Sequence, residues 1–341
     1  MSRPTVLWES RSPVVTDSFS AGRVLKTANG GNAYDIQAAL ALASMADVQM
    51  NDQAVKRPGE GMLGYWARMQ RQRHHADVVI REPFPVVFGR FAKGVKYIAV
   101  IHHIDVRKSR SSVRHRWYFS RLKKRLTAVD RIITVSEYWA GYLRGLGCGD
   151  VRVIYNSFDT VAYQLEQSSL AEFKKQVGLP DDRPIIHIGN ASRQKGVHSV
   201  YDALSKCGYH LVMTGPQNQA KDLPVQFLGL DHADYVRLLH CCSAVVCMSE
   251  MEEGWNRIAH EALLCGTPVI GNGSGGMMEL LQGARQAIVT ESSQLPLVIE
   301  NVLDNRAEFS EDGLKFVSRF DLDYFQKAWK EAVTSLLSAT D

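Results

Sequence analysis

Glu253 and Glu261 stand eight positions apart in the stretch EEGWNRIAHEALLCGTPVI, residues 252–270. Asn256 has the chemistry of a helix N-cap, and Gly266 followed by Pro268 is a stop signal, so a two-turn helix is expected over Arg257–Leu264. Glu253 then lies in the loop ahead of that helix and Glu261 on its body. A helix N-terminus attracts anions through its free N–H groups. Carboxylates beside it suit sugar hydroxyls, as an acid suits a ribose in dinucleotide folds. Two solvated glutamates would show the same spacing, so the neighbouring motifs must decide. GNASRQKGV (189–197) places Arg193 and Lys195 at a turn after an apolar run, where a diphosphate would be neutralised. GNGSGGMMELL (271–281) is a glycine-rich turn whose backbone N–H groups would cradle the same phosphates.

These loops need strands to carry them. Short Val- and Ile-rich runs alternate with stretches of helical period, the pattern of parallel sheets with crossover helices. Strands are expected at TVLWE (5–9), DVVIREPF (77–84), VKYIAVIHH (95–103), DRIITVS (130–136) and VRVIYNSF (151–158). The second set is PIIHIGN (184–190), YHLVMTG (209–215), VQFLGL (225–230), AVVCMS (244–249), PVIGN (268–272) and QAIVTE (286–291). Each half thus has enough strands for its own Rossmann-like sheet. The expected division is a first domain over 1–160, a second over 161–320, and an amphipathic tail helix over 321–341 suited to cap either domain, the first in preference. Residues 159–182 show no strand signal and are expected to be linker.

The chain has 341 residues, a length that favours two domains. No apolar run approaches the ~18 residues of a membrane span, and the N-terminal residues lack the order of a signal peptide, so a cytoplasmic protein is expected. The six cysteines fall in apolar stretches without metal-ligand spacing and read as buried thiols. Charge is unevenly placed: residues 1–160 hold 25 Lys and Arg against 13 Asp and Glu, while residues 161–341 hold 15 against 23. The first half is the one that should seek anions.

With these motifs in place, the sequence resembles the retaining, nucleotide-sugar-dependent glycosyltransferases of family 4. The resemblance rests on the E-x7-E pair Glu253 and Glu261, the basic turn at Gly189, Lys195 and Gly196, and GGMMEL. In the first half it rests on NGGNAY (29–34), VIHHID (100–105) and VIYNSFD (153–159). It implies the GT-B fold, an α/β architecture of two Rossmann-like domains facing each other across a cleft. It also implies a sugar moved from a nucleotide-diphosphate donor to a saccharide or lipid-linked saccharide, with no cofactor and no metal, residues 1–160 being the acceptor-binding domain and residues 161–320 the nucleotide-sugar-binding one. Glu253, Lys195, Arg193 and His102 take catalytic places. Gly30, Gly31, Asn190, Gly254, Trp255, Asn256, Glu261, Gly275, Gly276 and Met277 take donor-binding ones. The sequence departs from the family at Asn190, where Arg is usual, and Arg193 stands in for that charge from a shifted position. UDP- or GDP-hexose and a role in bacterial surface polysaccharide, lipopolysaccharide or glycolipid synthesis follow from family frequency.

His102 is the match for the family's strand-end histidine, with His103 and Asp105 on the acceptor side. Because alternate strand residues point to opposite faces, only one histidine is expected to face the cleft, and the sequence leaves open which. Between Asp105 and Asp130 there are nine Lys and Arg and no acid. Arg107, Lys108 and Arg110 begin that run; Arg114, Arg116, Trp117, Arg121, Lys123, Lys124 and Arg125 form a patch suited to an anionic membrane or lipid-linked acceptor. A solvated helix face and a nucleic-acid patch are the other readings, nucleic acid the least favoured. Across the whole chain the competing function is an RNA- or lipid-binding protein of the same fold without transferase activity. A glycoside hydrolase would need no diphosphate loops, and a dinucleotide oxidoreductase would want an acid ~20 residues beyond its glycine loop.

Overall fold

The computed structural model describes residues 3–26, 28–106, 111–215 and 219–339. The chain forms two compact units, Met1–Ser157 with Asp323–Asp341, and Phe158–Leu322. In the first, β1 (Thr5–Glu9), β2 (Asp47–Met50), β3 (Val78–Arg81), β4 (Lys96–Ile101), β5 (Arg131–Thr134) and β6 (Val151–Val153) form a sheet in the order β2-β1-β3-β4-β5-β6. Every pairing is parallel. All four residues of β3 and of β5 are buried, as strands covered by helices on both faces must be. The edge strand β2 reads DVQM and buries none of its residues, so the hydrophobic pattern carried no signal for it.

The tail helix, Leu322–Ser338, packs in this unit, burying Phe325, Trp329, Val333 and Leu336. Trp329 lies 5.8 Å from Trp8 of β1, and Phe325 meets Tyr34 edge-on at 5.1 Å. Arg131 fastens the helix by donating to the Ala332 carbonyl and to Ser335 Oγ at 2.9 Å. Each such buried ring adds on the order of 2 kcal/mol of apolar burial.

The second unit holds β7 (Ile185–Asn190), β8 (His210–Thr214), β9 (Gln226–Leu228), β10 (Ala244–Cys247), β11 (Val269–Gly271) and β12 (Ala287–Ile288). Their order is β12-β11-β10-β7-β8-β9, again parallel throughout. The stretch expected as linker is part of this unit. Thr160–Tyr163 is a 3-10 turn, and Gln167–Val177 is a helix followed by Leu179; Phe173 and Leu179 pack with Leu238 and Val212. Its Leu170, Phe173 and Val177 recur at helical spacing, which the turn cluster behind them obscured. Among the described residues, no helix is long and apolar enough to cross a membrane.

Candidate active site

In the second sheet the chain runs from β7 outward to β9, then returns to lay β10 on the other flank of β7. The carboxyl ends of β7 and β10 therefore border the point where strand order reverses, the place where open α/β sheets bind ligands. Three loops meet there and are sewn together by backbone bonds. Glu250 N–H donates to the Gln194 carbonyl at 2.9 Å, joining the loop after β10 to the basic turn. Glu253 pairs with Gly275 as an isolated parallel bridge, its N–H donating to Ser274 O and its carbonyl accepting from Gly276 N–H. Asn272 Nδ2 donates to Ser249 O at 2.7 Å.

Two glycines make this approach possible. At Gly196, with φ of +67°, a Cβ would fall 2.0 Å from the Met248 carbonyl oxygen; at Gly275, with φ of +66°, it would fall 2.5 Å from the Glu253 oxygen. Both positions combine left-handed backbone with backbone neighbours that cannot move aside.

Within this frame Lys195 Nζ lies 2.5 Å from Glu253 Oε1, the ammonium partly exposed and the carboxylate nearly buried. Asn256 caps the helix Arg257–Leu264, its Oδ1 accepting from Ala259 N–H at 3.1 Å, and itself takes a positive φ of 75°. Glu261 is buried on that helix, and Tyr163 donates its hydroxyl to Oε1 at 2.9 Å. Burial, followed by the charge of Glu261, pushes the Tyr163 phenol far up, so it remains a donor.

Asn190 closes β7. Thr214 Oγ1 donates to its Oδ1 at 3.0 Å, while His187 Nε2 lies 3.0 Å from the same hydroxyl. Burial pushes the His187 pKa down to about 4, so the ring is neutral and the proton is assigned to Nε2. The Asn190 side-chain oxygen is thus engaged within the sheet. Arg193 is exposed in the 3-10 turn Arg193–Lys195, whose backbone leans on Gln219 Oε1 at 3.3 Å.

The structure brings Lys195, Glu253, Gly254, Gly275 and Gly276 together on these loops, with Asn190, Arg193, Asn256 and Glu261 on the elements that carry them. Two expected donor side chains turn elsewhere. Trp255 is buried, its Nε1 donating to His260 Nδ1 at 3.0 Å and its ring against Phe320 at 5.7 Å. Met277 is fully buried and receives Asn256 Nδ2 at Sδ. Both are large apolar groups beside a core and settle into it, which leaves only their backbone for a ligand.

Gly30, Gly31 and the histidines belong to the N-terminal unit. Gly30 and Gly31 are the first two residues of the helix Gly30–Leu42, capped by Asn29, and Gly31 stands against His102. His102 Nε2 lies 3.0 Å from Asp35 Oδ1, a carboxylate placed to orient it. The alternation argument for the two histidines does not apply: β4 ends at Ile101, and His102 and His103, beyond the strand, both line one cavity.

The basic patch also changes. Arg107, Lys108 and Arg110 lie outside the described residues. Helix Val113–Leu126 carries the rest, but Arg121 Nε donates to Val87 O at 3.0 Å and Arg125 Nε to Val86 O at 2.6 Å. Arg125 also reaches Gly89 O. These two arginines satisfy the orphan carbonyls of the short helix Pro83–Phe88 and are structural. Tyr118 and Phe119 pack against the core; Arg114, Arg116, Trp117 and Lys124 remain exposed and Lys123 half-buried.

Sequence reasoning missed Tyr163 and Asp35. Tyr163 sat in the supposed linker and had no signal. Asp35 had one, a lone acid inside the apolar helix sequence AYDIQAALAL.

Two family models match the chain. Residues 53–161 match Glycosyltransferase Family 4, and residues 170–313 match Glycosyl transferases group 1. Together they span both units, and the chain belongs to this glycosyltransferase family, with the GT-B fold. It is 29% identical over 147 residues to the N-acetyl-alpha-D-glucosaminyl L-malate synthase of Bacillus anthracis, covering 39% of this chain and 38% of that protein. It is 28% identical over 150 residues to an uncharacterized glycosyltransferase of Methanocaldococcus jannaschii, with the same coverages. The matched stretch thus spans well under two thirds of these relatives. Among solved structures, sucrose-phosphate synthase of Thermosynechococcus elongatus superposes with a TM-score of 0.79 at 19% identity, covering 99% of this chain and 100% of that one. Anabaena HepE in complex with UDP-glucose gives 0.74 at 21% identity, covering 97% and 100%.

Proposed function

We propose that this chain transfers a sugar from a nucleoside diphosphate to a saccharide or lipid-linked saccharide, retaining anomeric configuration and using no metal. The reading is carried by one observation: Lys195, Glu253 and the Gly275–Gly276 turn converge at the switch point of the second sheet. An ammonium held beside a carboxylate has two uses in such a reaction. Lys195 meets the charge that builds on the departing diphosphate, with Arg193 as the second cation. Glu253, released from part of its pairing, accepts hydrogen bonds from the transferred sugar. Glu261, steadied by Tyr163, accepts from the ribose. Glycosyl transfer passes through an oxocarbenium-like state, so positioning and leaving-group stabilisation carry most of the catalysis.

The family membership and the UDP-glucose held by HepE support UDP as the first carrier to test, with GDP second. His102, set by Asp35, is assigned to the donor sugar, and His103 and Asp105 to the acceptor side. Synthesis of a bacterial surface polysaccharide or glycolipid in the cytoplasm, on the inner face of the membrane, fits a lipid-linked acceptor; Arg114, Arg116, Trp117, Lys123 and Lys124 are the side chains left to touch anionic lipid.

A thermal-shift screen against UDP, GDP, ADP and their sugars tests the reading, since a ligand that binds the native state raises its melting temperature. At least one nucleotide sugar should raise it and be consumed with release of its nucleotide. Failure of the whole panel on both counts would remove the proposal.

A further inference from the structure

Asn190 is the last residue of β7, half-buried at the reversal point of the second sheet, and two buried side chains hold its amide. Three steps along β7, from His187 to Asn190, match only two along β8, from Val212 to Thr214. In an unbroken strand, residues three apart point to opposite faces. The slip contains Gly189, with φ of +97°, and it removes that alternation, so His187 and Asn190 reach one hydroxyl. His187 Nε2 and Asn190 Oδ1 each lie 3.0 Å from Thr214 Oγ1. Gly215 leaves room for the amide: a Cβ there would fall 3.2 Å from Asn190 Cγ.

A hydroxyl has one proton to give, so this chain of bonds has two possible directions. In one, His187 donates from Nε2 to Thr214, and Thr214 donates to the Asn190 oxygen. In the other the amide is turned over: its NH2 donates to Thr214, Thr214 donates to Nε2, and the imidazole proton sits on Nδ1. His187 has no exposure, and its Nδ1 has no hydrogen-bond partner among the described residues. A proton on Nδ1 would be an orphaned donor inside the core, which native structures very rarely keep, and a bare acceptor is the lesser cost. Burial pushes the ring down to a pKa of about 4, so above that it has a single proton to place. The Tyr235 ring packs at 6.2 Å from it, and that phenol is pushed up by burial, so it supplies no negative charge to hold an imidazolium. The first direction therefore holds.

We propose that His187 and Thr214 are positioning residues for the donor: they fix the Asn190 amide with its oxygen on Thr214, so that the group left for a ligand is the NH2 donor, which binds a phosphate of a nucleoside diphosphate. The last clause rests on the transferase reading; the fixed amide does not. The strand end then supplies a neutral donor where arginine is usual in the family, and permanent charge comes from Arg193 and Lys195 in the turn that follows. An amide free to turn over would offer the phosphate an oxygen half of the time. The buried imidazole removes that choice from a site it does not itself touch.

NMR of the histidine ring nitrogens on the full chain tests the fixed amide without any ligand. At about pH 7 His187, identified by its absence from His187→Phe, should carry its proton on Nε2; a proton on Nδ1 overturns the inference. Asn190→Asp tests the group presented, since it keeps an oxygen for Thr214 and replaces only the NH2 with a second oxygen. Calorimetry should show UDP, or GDP where the thermal-shift screen selects guanine, binding at least about tenfold more weakly to this variant. Affinity within about threefold of the wild type overturns the inference. Thr214→Val releases the amide and should also cost about tenfold, and Thr214→Ser, which restores the hydroxyl, should recover it; equal losses in the two overturn the part played by Thr214. Should Thr214→Val not fold, the tautomer and Asn190→Asp decide. A wild-type chain that binds neither UDP nor GDP sinks the transferase reading and this inference with it. Nucleotide binding and turnover with the His187 proton on Nδ1, or undiminished in Asn190→Asp, sinks this inference alone.

Discussion

The two sheets reverse strand order in the same way, yet they treat charge at the reversal point differently. In the C-terminal unit the loops are sewn together by main-chain bonds and the cation is already matched, Lys195 to Glu253 at 2.5 Å. In the N-terminal unit the matched pair, Glu9 and Arg81, is joined at 2.6 Å with neither side chain exposed. A preformed, self-neutralised site can hold its geometry while empty and exchange partners when a diphosphate arrives. The contrast is between an ion pair whose cation solvent can reach and one locked inside its unit.

Four substitutions break or sharpen that contrast. Lys195→Ala removes the matched cation, and turnover should fall by about 10²–10³-fold, in line with loss of one transition-state charge contact; steady-state kinetics with the donor identified by thermal shift check it, and unchanged turnover would move the site. Tyr163→Phe strips the buried Glu261 of a donor and should weaken nucleotide-sugar binding by about 1.5–3 kcal/mol, the usual range for a hydrogen bond to a charged group; calorimetry reads the change.

Glu82→Gln addresses the N-terminal unit. The folded-state pKa is raised, so the folded chain keeps a proton that the unfolded chain releases once pH passes the ordinary carboxyl range. Wild-type stability from this group is therefore greatest in acid and declines as pH rises toward 8. The variant should melt at the wild-type temperature near pH 4 and increasingly above it toward pH 8, in paired melts across that range. Lys124→Glu, on the exposed face of the basic helix, should change stability by under ~0.5 kcal/mol. If that face rests on anionic lipid, the same change should lower vesicle co-sedimentation.

Much of this was legible in the chain. The buried strands announce themselves because parallel sheets need continuous apolar runs, and IIHIG or RIIT can hardly be anything else. Asn256 and Gly266 bracket their helix by local chemistry alone. What the sequence hid was whatever depends on partners distant in the chain. Tyr163 acquires its role only from a glutamate 98 positions on. Arg121 and Arg125 look like surface charge until the carbonyls of residues 86, 87 and 89 are placed beside them. Strand β2 hid because an edge exposed to water needs no hydrophobic run.

The tail helix bears on how the protein is made. Trp8 precedes the second unit in the chain, but the indole packed against it, Trp329, leaves the ribosome only after that whole unit has emerged. Residues 158–322 can therefore fold while the first sheet still lacks the helix that packs on Trp8, so the unit that begins first is the second to close.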